Sequence, residues 1–330
     1  MMLSIVGDCG RNDIYFILIG RNVTLESEFV LLGFSFMPHF AIPFFFFLIL
    51  VLYLFSMAGN LLILTLVFSD QQLHSPMYLF LCNLSILDIC FINTTVPKML
   101  QGFLPGGKTI SLLACFAQSY TFFFLGVSTF FLLAIMSFDR FVAICHPLHY
   151  PAIMHQKLCI KLIASVFILA FLVVLIPSIR IMRLPFCSNL VNHFFCDVIP
   201  LLMNSCINTS SIQLQEIVAS SITLISSLLV TLISYVYIVK TILNIPSIEG
   251  RKKTFSTCSS HALVVSLAYG SCIFTYIKPT QGQFRDYDKM VAILTTVIVP
   301  LLNPYVYTLR NEKVRKIIKK NYIKNYPFLC

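Results

Sequence analysis

From Phe40 to Leu309 polar residues do not alternate evenly with apolar ones; they gather in short clusters between long, nearly uncharged runs. A helix crosses a bilayer with about 20 mostly apolar residues. Seven runs approach or exceed that length: Phe40–Phe68, Met77–Val96, Thr109–Phe138, Leu162–Ile179, Ile217–Val239, Thr254–Ile277 and Met290–Leu309. The pattern predicts an all-α membrane protein, a seven-transmembrane helix bundle. Pro300 and Pro304 fall inside the last run, where neighbouring helices can satisfy the freed backbone groups. Past it, Val314, Ile317 and Ile318 recur at helical spacing among lysines, which predicts a short amphipathic C-terminal helix on the inner leaflet. The organisation is an outer tail over 1–38, a helical domain over 39–309 and a basic tail over 310–330.

Composition supports this. Of 330 residues, 58% are hydrophobic and 11% charged, against roughly 25% charged in soluble domains. The net charge of +10 comes without a basic aromatic patch or nucleic-acid motif, so no nucleic-acid partner is expected. It follows topology instead: with the N-terminus outside, fourteen Lys and Arg fall on the inner side and nine on the outer, as basic residues favour cytoplasmic loops. Membrane lipids are thus the first partner. The sequons at Asn22 and Asn208 fall on the outer side and agree with this orientation. Those at Asn83 and Asn93 lie within an apolar span, out of a transferase's reach. The apolar patch Ile14–Ile19 is too short for the core of a signal peptide.

No motif of catalysis occurs: there is no nucleophile elbow, phosphate-binding loop or zinc-protease signature. The chain is therefore expected to be a non-enzyme. His146, His149 and His155 share an inner loop at spacings that do not suggest metal ligation. No internal repeat or pair of broken spans suggests a carrier. Four cysteines, Cys115, Cys187, Cys196 and Cys206, lie at the oxidising outer side; four cysteines allow three pairings, and spacing alone does not choose among them. Asp88 is the one acid deep within a span, and a buried carboxylate must be paired, protonated or cation-bound. Asn60 and Asn303 are polar residues available to face it. A polar switch or sodium site and an interhelical hydrogen-bond network are equally consistent with it. Asp139–Arg140, at the end of the third run, reads equally as an interfacial anchor or as a functional pair.

Longer motifs separate these readings. Gly59-Asn60 is followed by LHSPMYLFLCNLSILD at Leu73–Asp88, PKML at Pro97–Leu100 and MSFDRFVAICHPLHY at Met136–Tyr150. Ser234-Tyr235, KKTFSTCSSH at Lys252–His261 and PLLNPYVYTLRNEKV at Pro300–Val314 complete the series. In that order they resemble the tetrapod-type (class II) olfactory receptors of the rhodopsin-like G-protein-coupled receptors, over about residues 22–320.

The resemblance implies pairings Cys115–Cys196 and Cys187–Cys206. It implies that Asp139 and Arg140 form an inactive-state lock, with Tyr235, His261, Asn303, Pro304 and Tyr307 as switch partners. An allosteric sodium ion near Asp88, Asn60 and Asn303 is the one cofactor it raises. The implied odorant pocket takes Phe122, Phe123, Gly126 and Val127 from the third helix and Ala219 and Thr223 from the fifth. Tyr269, Cys272, Ile273 and Tyr276 come from the sixth and Thr296 from the seventh. Phe122 stands where amine receptors resemble one another in having Asp, so an amine would be left without a counter-ion there. The expected ligand is a small, neutral, mostly apolar volatile molecule with one or two polar atoms. The implied partner is the stimulatory olfactory G protein, and the implied location the plasma membrane of olfactory cilia.

Three features depart from the family pattern. Phe141 replaces the usual Tyr after the Arg, Ala268 stands where a bulky residue is common, and the first twenty residues resemble nothing in it. A rhodopsin-like receptor for a non-odorant metabolite is the main rival reading, and a transporter or channel the one from another class.

Overall fold

The computed structural model describes residues 16–18, 21–23, 28–35, 37–276, 286–309 and 313–318. Its helices are α1 (Ile42–Ser69), α2 (Pro76–Gln101), α3 (Leu112–Cys145), α4 (Tyr150–Ile153) and α5 (Gln156–Met182). They continue as α6 (Val198–Met203), α7 (Ser210–Leu243), α8 (Ile248–Tyr276), α9 (Asp286–Ile293) and α10 (Val299–Leu309). Among the described residues six helices are long and apolar enough to span a membrane, and α8 carries a shorter apolar stretch, His261–Ile273. With α8 as the sixth span and α9–α10 as the seventh, they form a seven-helix bundle. Packing runs α1 on α2, α2 on α3, then α3, α5, α7, α8, α10 and back to α1, with α3 also against α7 and α8.

The burial pattern is that of a chain solvated by lipid. Phe44, Phe47, Leu54 and Phe55 of α1 point outward, whereas Ser56 and Asn60 of the same helix are fully buried. Small and polar side chains hold the helix interfaces, since lipid tails compete equally for apolar ones. Gly59 shows why a side chain is absent there: a Cβ would lie 2.9 Å from Cγ of Pro304. Several helices outrun the apolar stretches that foretold them, α7 beginning at Ser210 instead of Ile217 and α5 reaching from Gln156 to Met182. Backbone hydrogen bonding continues into interfacial residues that hydropathy scores as polar. The third run needs two corrections. Thr109–Ser111 is a strand, and the helix starts at Leu112, where the Ser111 hydroxyl accepts from the Ala114 N–H at 3.3 Å. At its other end it continues past Asp139–Arg140 to Cys145, stopping before His146-Pro147, where the residue preceding proline is driven out of helix.

The seventh span is broken by a π-helical stretch, Leu294–Ile298, between α9 and α10. Pro300 has no N–H for the carbonyl four residues back, and a widened turn relieves that mismatch.

The outer face adds strands that a purely helical reading misses. β1 (Phe16–Leu18) pairs antiparallel with β2 (Arg21–Val23), which carries Asn22. β3 (Glu28–Leu31) lies between β4 (Thr109–Ser111), antiparallel, and β5 (Leu190–Val191), parallel. Residues 28–35 and Met37 therefore pack with the helical domain: Phe29 and Leu31 are buried with Cys115, Val191 and Cys196, and Phe34 and Met37 pack at the bundle mouth. At the inner face residues 313–318 are helical, with Val314 and Ile317 buried against the bundle.

Candidate functional site

Disulfides Cys115–Cys196 and Cys187–Cys206 tie the long outer loop to the top of α3 and to itself. Gln118 sets its height: its Nε2 donates to Thr94 O at 2.7 Å and its Oε1 accepts from Cys196 N at 3.0 Å. The loop presents Phe194 and Phe195 over the bundle. Phe34 stacks between Phe103 and Phe194, at 4.9 and 5.4 Å between centroids, and Phe195 lies 4.5 Å from Phe122. Lys289 Nζ donates to Gly33 O at 2.9 Å, fastening the N-terminal segment to the last span. Beneath this cap His193 is buried; burial, reinforced by Lys289, holds its imidazole down to about 3, so it is neutral. Asp197 caps α6 by accepting from Val198 N at 2.7 Å, and burial pushes its carboxyl up to about 7.

Below the cap lies a cavity with about 830 Å³ of empty space, its opening included. Phe122, Phe123, Gly126 and Val127 line it from α3, Thr223 from α7 and Cys272 from α8. Ala219 lines a smaller adjoining recess, which shares Phe123, Val127, Ser220 and Thr223 with the main cavity. Tyr269 is buried beneath the wall against Phe130, whose centroid is 5.0 Å away. Ile273 faces outward, 39% exposed, and does not line the cavity. Thr296 is fully buried with its hydroxyl donating to Ala292 O at 2.7 Å, and Thr295 lines the cavity in its place. The π-helical stretch shifts the seventh span's register, which a regular helical count cannot anticipate. The side chains of Tyr276 and Tyr307 lie outside the described residues.

The floor is polar. Asn303 Nδ2 donates to Asp88 Oδ2 at 2.8 Å, and Asp88 lines the cavity. Asn60 turns away from the carboxylate: its Nδ2 donates to Ser56 O at 3.0 Å and to Pro300 O at 3.2 Å. The second bond serves a carbonyl whose helical partner is Pro304, a residue without an N–H. Asn60 Oδ1 and Asn303 Oδ1 accept no hydrogen bond among the described residues.

At the inner end Asp139 is 1% exposed. Arg140 Nε donates to its Oδ2 at 3.1 Å, and a second guanidinium nitrogen reaches the same oxygen. The other carboxylate oxygen accepts from the Tyr150 hydroxyl at 2.8 Å. Burial and the Asp139 charge push the Tyr150 phenol above its usual range, so it keeps the proton it donates. Tyr150 stands inside the quoted motif, but nothing in its spacing reveals that the loop folds back; sequence reasoning missed it. Tyr235 hydrogen-bonds His261 Nδ1 at 2.6 Å across α7 and α8. Phe141, which lacks the family's hydroxyl, packs its ring 5.6 Å from both His146 and Tyr237. Asp139, Arg140 and Tyr150 form one hydrogen-bonded cluster at the far end of α3, the helix that also walls the cavity.

Comparison with known proteins agrees with this arrangement. The profile described as olfactory receptor matches residues 49–325. The chain is 45% identical to olfactory receptor 6E1 of Mus musculus over 309 residues, 93% of this chain and 98% of that one. It is 47% identical to olfactory receptor 2AP1 of Homo sapiens over 301 residues, 91% and 97% of the two. Olfactory receptor 6X1 of Homo sapiens shares 43% over 301 residues, 91% and 96%. The chain belongs to the olfactory receptor family, multi-pass membrane receptors that couple odorants to G proteins.

Proposed function

We propose that this receptor binds a small, neutral, mostly apolar odorant in the cavity between α3, α7 and α8 and signals through the stimulatory olfactory G protein, raising cAMP. The observation carrying this reading is an apolar cavity, walled by Phe91, Phe122, Phe123 and Phe130, above an inner clasp made on the same helix, α3. Ligand shifts the closed–open equilibrium only by binding the two states differently. Phe122, Phe123, Gly126, Val127, Thr223 and Cys272 contact the odorant, while Ala219 acts through the adjoining recess. Asp139 and Arg140 hold the closed state, and Tyr235, His261, Asn303, Pro304 and Tyr307 rearrange as α8 moves outward. A sodium ion near Asp88, Asn60 and Asn303 would stabilise the closed form. The N-terminus and Asn22 are outside, and the receptor works at the plasma membrane of olfactory cilia.

The test is a volatile panel on cells expressing the receptor with the olfactory G protein, read as cAMP. Expected are a concentration-dependent response, its loss in Arg140→Ala at unchanged surface level, and a potency loss of tenfold or more in Phe123→Ala. Phe123 is a large cavity-lining ring whose truncation removes about 2 kcal/mol or more of apolar contact. A response surviving Arg140→Ala, or arising as current without a G protein, would overturn the reading.

A further inference from the structure

We infer that the cavity selects ligands ending in a hydroxyl, which reaches Asp88 at its floor, over aldehydes and ethers of the same length. This rests on the cavity being the odorant site and goes on to name what its polar end reads.

The cavity has two unlike ends. Phe91, Phe122 and Phe123 dominate its upper walls beside the hydroxyls of Ser220 and Thr223, whereas Asp88, Thr129 and Thr295 join Phe130 at its floor. Between them Gly126 supplies a throat: a Cβ there would meet only Phe91, at 4.0 Å. No side chain of α3 separates the rings from the carboxyl at that level. From Phe123 to Phe130 the α3 wall is seven residues, about 10 Å at 1.5 Å per residue. A straight chain of about eight carbons spans it.

What the floor offers is set by hydrogens already committed. Thr129 Oγ1 donates to Leu125 O at 2.9 Å, and Thr295 Oγ1 donates to Ala292 O at 2.9 Å. Both hydroxyls therefore present only acceptor lone pairs to the cavity. Asp88 takes one donor, Asn303, on Oδ2. A ligand hydroxyl serves the carboxyl in either protonation state, donating to the carboxylate or accepting from the acid. An aldehyde or methyl ether serves only the acid, and gains nothing from Thr129 or Thr295. Bringing a bare carbonyl or ether oxygen against acceptors also strips it of water without return. A hydrogen bond contributes about 0.5–1.5 kcal/mol net between neutral groups and about 1.5–3 kcal/mol to a charged one, together about 2- to 150-fold in affinity, the upper part belonging to the ionised carboxylate.

The experiment is thermal stabilisation of the purified full-length receptor in nanodiscs, in sodium-free choline buffer. The probes are 1-alkanols, n-aldehydes and alkyl methyl ethers of four to twelve carbons. Expected is tenfold or greater preference for the alkanol near eight carbons, absent at four, where the chain cannot span from rings to floor. Asp88→Asn keeps an acceptor but adds a donor, so it must narrow the alkanol–aldehyde ratio. Gly126→Val blocks the throat and must weaken eight-carbon alkanols more than four-carbon ones, abolishing the length preference. Aldehydes equal to or better than alkanols at every length, or a ratio unmoved by Asp88→Asn, overturns the inference while leaving the cavity as the site. Absence of stabilisation by every probe overturns the cavity reading itself, and this inference with it. A general loss of fold in Asp88→Asn is distinguished by Gly126→Val, which leaves Asp88 in place.

Discussion

Replacing Tyr150 by Phe removes one oxygen and leaves the ring. In the closed receptor that oxygen donates to Asp139 at 2.8 Å, and the carboxylate is almost wholly buried. Arg140 engages the other oxygen, so the substitution leaves Asp139 paired but strips it of half its partners. A hydrogen bond to a charged group contributes about 1.5–3 kcal/mol, and the half-buried setting of Tyr150 argues for the lower half of that range. If α8 moves out and Arg140 swings away, the loop carrying Tyr150 no longer faces an intact clasp, so the lost bond penalises the closed state alone. The open:closed ratio then rises about tenfold, each 1.4 kcal/mol being a factor of ten. From a resting open population of about 1%, within the usual range for two-state proteins, this gives close to 10%. The assay is ligand-independent cAMP in cells carrying the olfactory G protein, normalised to surface receptor, with Arg140→Ala as the silent reference. Basal signal indistinguishable from wild type at matched surface level would refute the clasp argument. A fall in agonist response without a basal rise would instead assign Tyr150 to G-protein contact.

Two other predictions come from the packing and the cap. Gly59→Ala places a methyl against the rigid Pro304 ring, 2.9 Å from Cγ and 3.1 Å from Cβ, so α1 and α10 must part; a loss of about 1–3 kcal/mol is expected as a lower melting temperature of purified receptor, and an unchanged melt would show the contact yields. Asp197 titrates near 7 in the folded chain against 3.8 for the free group, so the folded state binds its proton more tightly. Its contribution is fully present below about pH 4 and is lost as pH rises through 7, reaching about 4 kcal/mol by pH 8. Wild-type melting temperature should therefore fall between pH 5 and 8 more steeply than that of Asp197→Asn, whose amide still caps α6; parallel curves would contradict the buried carboxyl.

Lipid solvation made much of this protein legible in one dimension. A helix that must face hydrocarbon writes its length into an uncharged run, so the seven spans and their order follow from Phe40–Leu309 without coordinates. The Asp139–Arg140 pair and the need of Asp88 for a partner were visible for the same reason, since polar groups in lipid need partners and few are available, but the structure chose Asn303 over Asn60. Regular counting along α3 also located Phe122, Phe123, Gly126 and Val127 on one wall, because that helix is unbroken over their length.

Where the helix is not regular, counting fails. The π-helical turn before Pro300 puts Thr295 and not Thr296 on the cavity, and Ile273 points outward because its rotation is fixed by packing against α7 and α10. Contacts between segments far apart in sequence were likewise decided only by folding. Spacing left three pairings of the outer cysteines open; the resemblance implied Cys115–Cys196 and Cys187–Cys206, and both form because the loop folds over α3. Glu28–Leu31 becomes a strand because β4 and β5 offer it free edges. Tyr150 reaches Asp139 because the chain turns back at Pro147. The sequence determined what each segment needs from its solvent; which distant group supplies the remainder is a property of the packed bundle, since hydrogen bonds and register are satisfied in three dimensions and leave no period along the chain.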